Sequence, residues 1–204
     1  MNELLQAFIF TFIPLFIVID PLGSAPLVIA ITEGMSQQRR RKTIHLAALT
    51  AAAVGLIFLF FGRFILAVLD ISVGSFAIAG GIILLVLSVN FMTTGRMTEV
   101  TREDIMAAVV PIGTPLTVGP ATITALLLLS GQFPLAVVLV AFVANIIITW
   151  AIFMLGNQIV SVIGQGGLRV ISRVFSLLLA AIAVSMIIQG LELIGILNAA
   201  GAQP

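Results

Sequence analysis

The sequence predicts an all-α integral membrane protein of six spanning helices, and three observations predict it. Apolar residues make up 61% of the 204 and charged residues only 8%, against about 25% charged in an ordinary soluble chain. So little polar surface cannot coat a particle in water, and lipid must be the solvent for most of the chain. The apolar residues fall into six segments, Leu4–Ile31, Ile44–Leu69, Val73–Met92, Ile105–Leu129, Leu135–Leu155 and Val170–Leu197, each near the roughly 20 residues that a crossing needs. Lys and Arg then alternate with the segments as a multi-pass topology requires.

The first segment follows Met1-Asn2-Glu3, with no Lys or Arg before Arg39. A secretory leader would open on positive charge, so this segment is expected to stay as a helix. The link after it holds Arg39, Arg40, Arg41 and Lys42, the link after the third segment Arg96 and Arg102, and the region after the fifth Arg169 and Arg173. These three links share one side, and the other side has only Arg63. Both termini are therefore expected outside a bacterial-type inner membrane, with the basic links in the cytoplasm. All links are short, so residues 1–204 are expected to form one transmembrane domain.

Composition removes several function classes. The net charge is +1 and there is no basic excess for nucleic acid. Cysteine is absent, which excludes a disulfide framework, a thiolate metal site and a catalytic thiol. His45 is the single histidine, and no second acid stands in a span beside Asp20. No enzyme constellation appears, and no cofactor is expected beyond H+ or Na+ as a coupling ion. The partners expected are the lipid bilayer and a small-molecule substrate; the sequence leaves the oligomeric state open.

Two segments depart from a simple span. The first contains Pro14, Asp20-Pro21-Leu22-Gly23-Ser24-Ala25 and Pro26, and the fourth contains Pro111, Gly113, Pro115, Thr117, Gly119-Pro120 and Thr122. Proline removes a backbone donor and clashes with the preceding turn, and unsatisfied backbone is not tolerated against lipid. Each helix is expected to be interrupted mid-membrane, with a simple proline kink as the structural alternative. These two segments open the two halves of the chain. Pro21 and Pro120 correspond at a shift of 99, Gly62 and Gly156 at 94, and Val89-Asn90 and Val184-Ser185 at 95. The fold expected is two inverted three-helix repeats, about 1–95 and about 105–197, and matching interruptions in such repeats point to a transporter's binding site.

Asp20 is the sharpest candidate, because an acid deep in an apolar span is costly. It would face a cavity as a binding group or proton carrier, or it would cap a half-helix starting near Leu22 by accepting from Gly23 or Ser24 N–H; both can hold together. A half-helix N-terminus suits a carboxylate, which makes Pro21, Gly23 and Ser24, and Thr117, Gly119, Pro120 and Thr122, candidates for a substrate or ion site. Asn90 and Asn145 join them, because Asn is harder to hide than Ser or Thr, whose bonds between helices are worth only about 0.6 kcal/mol. Ala77, Gly80 and Gly81 read as a close-packing face, Arg63 and Glu192 as snorkelling residues, and Thr101-Arg102-Glu103-Asp104 as a capping box.

The stretches Asp20-Pro21-Leu22-Gly23-Ser24-Ala25-Pro26, Pro115-Leu116-Thr117-Val118-Gly119-Pro120-Ala121-Thr122-Ile123 and Gly80-Gly81-Ile82-Ile83-Leu84-Leu85 resemble those of the MarC family, which includes the SnatA-type small neutral amino acid transporters. The resemblance spans essentially the whole chain. It implies six spans, outside termini and, for the SnatA-type branch, transport of alanine- or glycine-like amino acids. The reading is a secondary transporter working by alternating access, with a cation- or proton-handling channel, or a membrane protein without organic substrate, as the alternative.

Overall fold

The computed structural model describes residues 3–32, 35–94 and 118–197, and all regular structure among them is helical. In chain order the helices are α1 (Glu3–Ile19), α2 (Pro21–Thr32), α3 (Gln37–Val68), α4 (Val73–Thr94), α5 (Pro120–Gln132), α6 (Leu135–Met154) and α7 (Gly156–Leu193). Among the described residues, five stretches are long and apolar enough to cross a membrane: Glu3–Ala25, Gln37–Val68, Val73–Asn90, Leu135–Met154 and Arg173–Leu193. The predicted fourth span is described only from Val118 onward, as the 13-residue α5. Residues 105–117, with the candidate Thr117, and the capping box at Thr101–Asp104 lie outside the described residues.

In lipid a helix satisfies its own backbone, so runs of Leu, Ile, Val and Ala become helices without any polar face. Polar residues mark some of their ends. Ser36 opens α3 by accepting the Arg39 N–H at 3.3 Å, so Arg39–Lys42 form the first turns of that helix instead of an open link. Asp70 closes α3 in the left-handed region at φ 55°, where the Ile71 N–H reaches Leu66 O at 2.9 Å. The predicted link between the last two spans is helical too. It is bent at Gly164, where φ is 72° and ψ 161°, a conformation that glycine adopts without steric cost.

Glycines set how closely the helices approach. A Cβ on Gly74 would stand 2.8 Å from the Gly190 carbonyl, one on Gly190 2.7 Å from the Gly74 carbonyl, and one on Gly81 2.8 Å from the Ala183 carbonyl. α4 and α7 are therefore antiparallel and almost backbone to backbone, the contact that small residues provide where lipid gives no hydrophobic drive for helix association. Gly55 faces the Phe142 ring, Gly62 faces Leu127, Gly80 faces Thr124 and Gly156 faces Ile29. Among the described residues, the main contacts of α1–α4 are all with α5–α7: α1 with α5, α6 and α7, α2 with α6 and α7, α3 with α5 and α6, and α4 with α5 and α7. The two halves of the chain are interleaved, and one core containing Leu15, Ile19, Ala51, Leu126 and Phe142 runs between them.

Candidate functional site

The start of α2 is built on one residue. α1 ends at Ile19 and α2 begins at Pro21, with Asp20 between them in the left-handed region at φ 45°. Aspartate tolerates that region better than most residues. The Asp20 N–H still closes α1 on Phe16 O at 3.1 Å, while the Asp20 carbonyl accepts the Ser24 N–H at 3.0 Å. It also accepts the Ser24 hydroxyl at 2.7 Å. The side chain completes the turn, Oδ1 accepting the Gly23 N–H at 3.0 Å. Asp20 thus ends one helix and caps the next, and it is only 3% exposed. Pro21 follows at the first helical position, where no N–H is needed. Gly23 is a glycine because a Cβ there would run into the Asp20 carboxylate.

The second start has the same outline with different residues. Gly119 caps α5 with extended backbone, φ −85° and ψ −176°, Pro120 is the first helical residue, and among the described residues no side chain makes a capping bond. The Gly119 carbonyl accepts the Ile123 N–H at 3.1 Å, and the Thr124 hydroxyl bonds back to Pro120 O at 2.8 Å. Thr122 is buried, Gly119 half-buried and Pro120 exposed. Val18 and Ile19, just before the first start, and Val118 and Ala121, around the second, belong to the same buried core.

Asn145 links this core to α6. It is fully buried, and its Nδ2 donates to Phe12 O of α1 at 3.2 Å and to Ala141 O at 2.9 Å. Its Oδ1 is buried and accepts no hydrogen bond among the described residues, an arrangement that ordinarily costs about 1–3 kcal/mol. The Thr149 hydroxyl donates to the Asn145 carbonyl at 2.7 Å. Asn90, the other predicted asparagine, is exposed near the end of α4. Of the predicted residues, the structure therefore buries Asp20, Pro21, Gly23, Ser24, Thr122 and Asn145, and leaves Asn90 at the surface.

One feature of the region escaped the sequence reading. Phe8, Phe12 and Phe16 stack along α1, with centroids 5.5 and 5.9 Å apart. Phe175 of α7 meets Phe16 edge-on at 6.0 Å. The i, i+4 spacing of the three rings was the available signal.

An all-helical, multi-pass integral membrane protein, with two proline-led helix starts beside its core, is the class these features define. The chain belongs to the MarC family of integral membrane proteins, whose model matches residues 5–194. It is 32% identical to a UPF0056 membrane protein of Methanocaldococcus jannaschii, over 92% of this chain and 97% of the relative. It is also 32% identical to the UPF0056 membrane protein YhcE of Escherichia coli, over 92% and 94%, and 30% identical to YvbG of Bacillus subtilis, over 89% and 92%. No solved structure matches the chain.

Proposed function

We propose that the chain is a secondary transporter that moves a small neutral amino acid, alanine- or glycine-like, across a bacterial-type inner membrane by alternating access. The observation that carries this reading is the pair of helix starts, one covered by its own carboxylate and one without a side-chain cap. An amino acid presents one carboxylate and one ammonium group. The N-terminus of α5, at Gly119–Thr122, suits the carboxylate through its N–H groups and dipole. Asp20 suits the ammonium group or a coupling H+ or Na+, and the Asn145 Oδ1 offers an acceptor in the same core. Gly23 and Gly119 keep the space small, and Pro21 and Ser24 hold the first start in shape.

The proposed fold is two inverted repeats, with both termini outside and the first and fourth spans interrupted mid-membrane, and one feature of the packing favours the repeats. Exchanging the halves converts the Gly62–Leu127 contact into the Gly156–Ile29 contact, because Gly62 corresponds to Gly156 and Leu127 falls within a residue of Ile29. The antiparallel α4–α7 pair lies where a two-fold axis between the halves would map each helix onto the other. Rocking of one repeat against the other around a fixed site is how such folds alternate access. The test is counterflow of labelled alanine, glycine and serine in proteoliposomes, wild type against Asp20→Asn. Saturable exchange lost in the variant supports the reading. Folded protein that exchanges no amino acid but conducts cations would replace it with ion handling.

A further inference from the structure

We propose that the cleft between the start of α3 and the α6–α7 junction binds the phosphate of an anionic phospholipid. The cleft has a volume of about 410 Å³ and is lined by Gln37, Arg40, Arg41 and Ile44 on one side and by Met154, Leu155 and Gln158 on the other. Two guanidinium groups therefore face one space, and among the described residues no carboxylate lines it. Arg40 is held in place. Its Nη2 donates to Phe153 O at 3.4 Å, at the end of α6, and its Nε is buried with no hydrogen-bond partner among the described residues. Gly156 lies beside it, where a Cβ would be in ordinary contact with Arg40 Nη2 at 3.7 Å and tight only against Ile29 at 3.2 Å.

The cleft's two-part lining points to a lipid over a free anion. Its rim is cationic and amide-bearing, while Ile44, Met154 and Leu155 make an apolar wall, and Leu155 is half exposed. α6 ends and α3 begins here, which places the cleft where spans leave the hydrocarbon and phosphates lie. Guanidinium is suited to bidentate phosphate contact, and basic pockets between spans at this depth favour acidic headgroups. The inference needs only the membrane setting and is independent of what the protein transports.

The experiment uses the full chain in neutral detergent. Retention of added phosphatidylglycerol is measured by native mass spectrometry, with phosphatidylcholine and inorganic phosphate as comparison probes. Wild type is expected to retain phosphatidylglycerol selectively, and Arg40→Gln/Arg41→Gln to retain it about tenfold less. Arg39→Gln/Lys42→Gln removes the same charge outside the cleft and is expected to change retention by less than about twofold. Arg41→Gln alone tests the same point if loss of the Arg40–Phe153 contact prevents folding. Equal losses in both double variants would overturn the proposal in favour of diffuse attraction. Unchanged retention in the cleft variants would overturn it outright, and displacement of the lipid by inorganic phosphate would show a site for a free anion.

Discussion

The starts of α2 and α5 solve one local problem in opposite ways. Both put proline at the first helical position, and both use a hydroxyl to bond back to a carbonyl at the start, Ser24 to Asp20 and Thr124 to Pro120. They differ in where the side chain sits. α2 has a carboxylate at the cap and glycine at the third helical position. α5 has glycine at the cap and Thr122 at the third position. The exchange is steric, because the Asp20 carboxylate fills the space that a Cβ at Gly23 would need. It is also electrostatic. At α2 the protein's own carboxylate meets the positive end of the helix dipole, and at α5 no side chain among the described residues does so. Similar turns thus leave one helix start covered by a carboxylate and, among the described residues, one without a side-chain cap.

The largest expected effect comes from removing the charge while keeping the cap. Asparagine caps a helix as well as aspartate, so Asp20→Asn should leave thermal stability within about 0.5 kcal/mol. Counterflow should fall by about 100-fold, as expected when one member of a buried charged contact is lost. If the two quantities fall together, Asp20 serves the fold alone. Next in size is making the second start copy the first. Gly119→Asp/Thr122→Gly places a carboxylate at the cap and clears the third position, and the backbone at Gly119 admits any residue. The double variant should fold and lose counterflow by about tenfold or more, because its own anion would cover the α5 N-terminus. Retained exchange would mean that the substrate carboxylate binds elsewhere.

A purely structural test follows in size. Gly23→Ala should destabilise the protein by about 1–3 kcal/mol, since the Asp20 carboxylate must move from a packed site. In an Asp20→Gly background the same change should be neutral or stabilising by about 0.5–1 kcal/mol, the ordinary gain of alanine over glycine in a helix. Additive effects in this double-mutant cycle, read by denaturant unfolding in detergent, would dissolve the steric half of the comparison.

Much of this pair was legible in the sequence, for local reasons. A proline within an apolar run must stop or bend a helix, and the residue before it is then a candidate cap, which marks Asp20 and Gly119 directly. The buried set on α6, Val138, Ala141, Phe142, Asn145, Ile146, Thr149 and Phe153, follows helical spacing and places Asn145 on the inner face. Asn90 falls off the buried stripe of Gly74, Ala77, Gly81, Leu84 and Ser88 on α4, whose helical spacing could have shown its exposure. What was not legible is the interleaving of the halves. Contacts such as Gly62 with Leu127 and Gly156 with Ile29 join residues far apart in the chain, and in lipid they depend on shape, which apolar letters barely encode. The helical path from Gly156 to Arg169 was also missed, because its polar, glycine-rich composition reads as a loop when the membrane edge is ignored.

The smallest expected effect separates two uses of one hydroxyl. Ser24 Oγ donates to the Asp20 carbonyl, which also receives the Ser24 N–H. Ser24→Ala therefore removes one of two donors from an acceptor that stays satisfied, and the cost should be about 0.5 kcal/mol, the low end for a hydrogen bond. If the hydroxyl only steadies the start, counterflow should change by less than about twofold. A tenfold loss with stability unchanged would put Ser24 in contact with the substrate. The Asp20 start would then bind with its backbone turn as well as its carboxylate, and the contrast with Gly119 would narrow to charge alone.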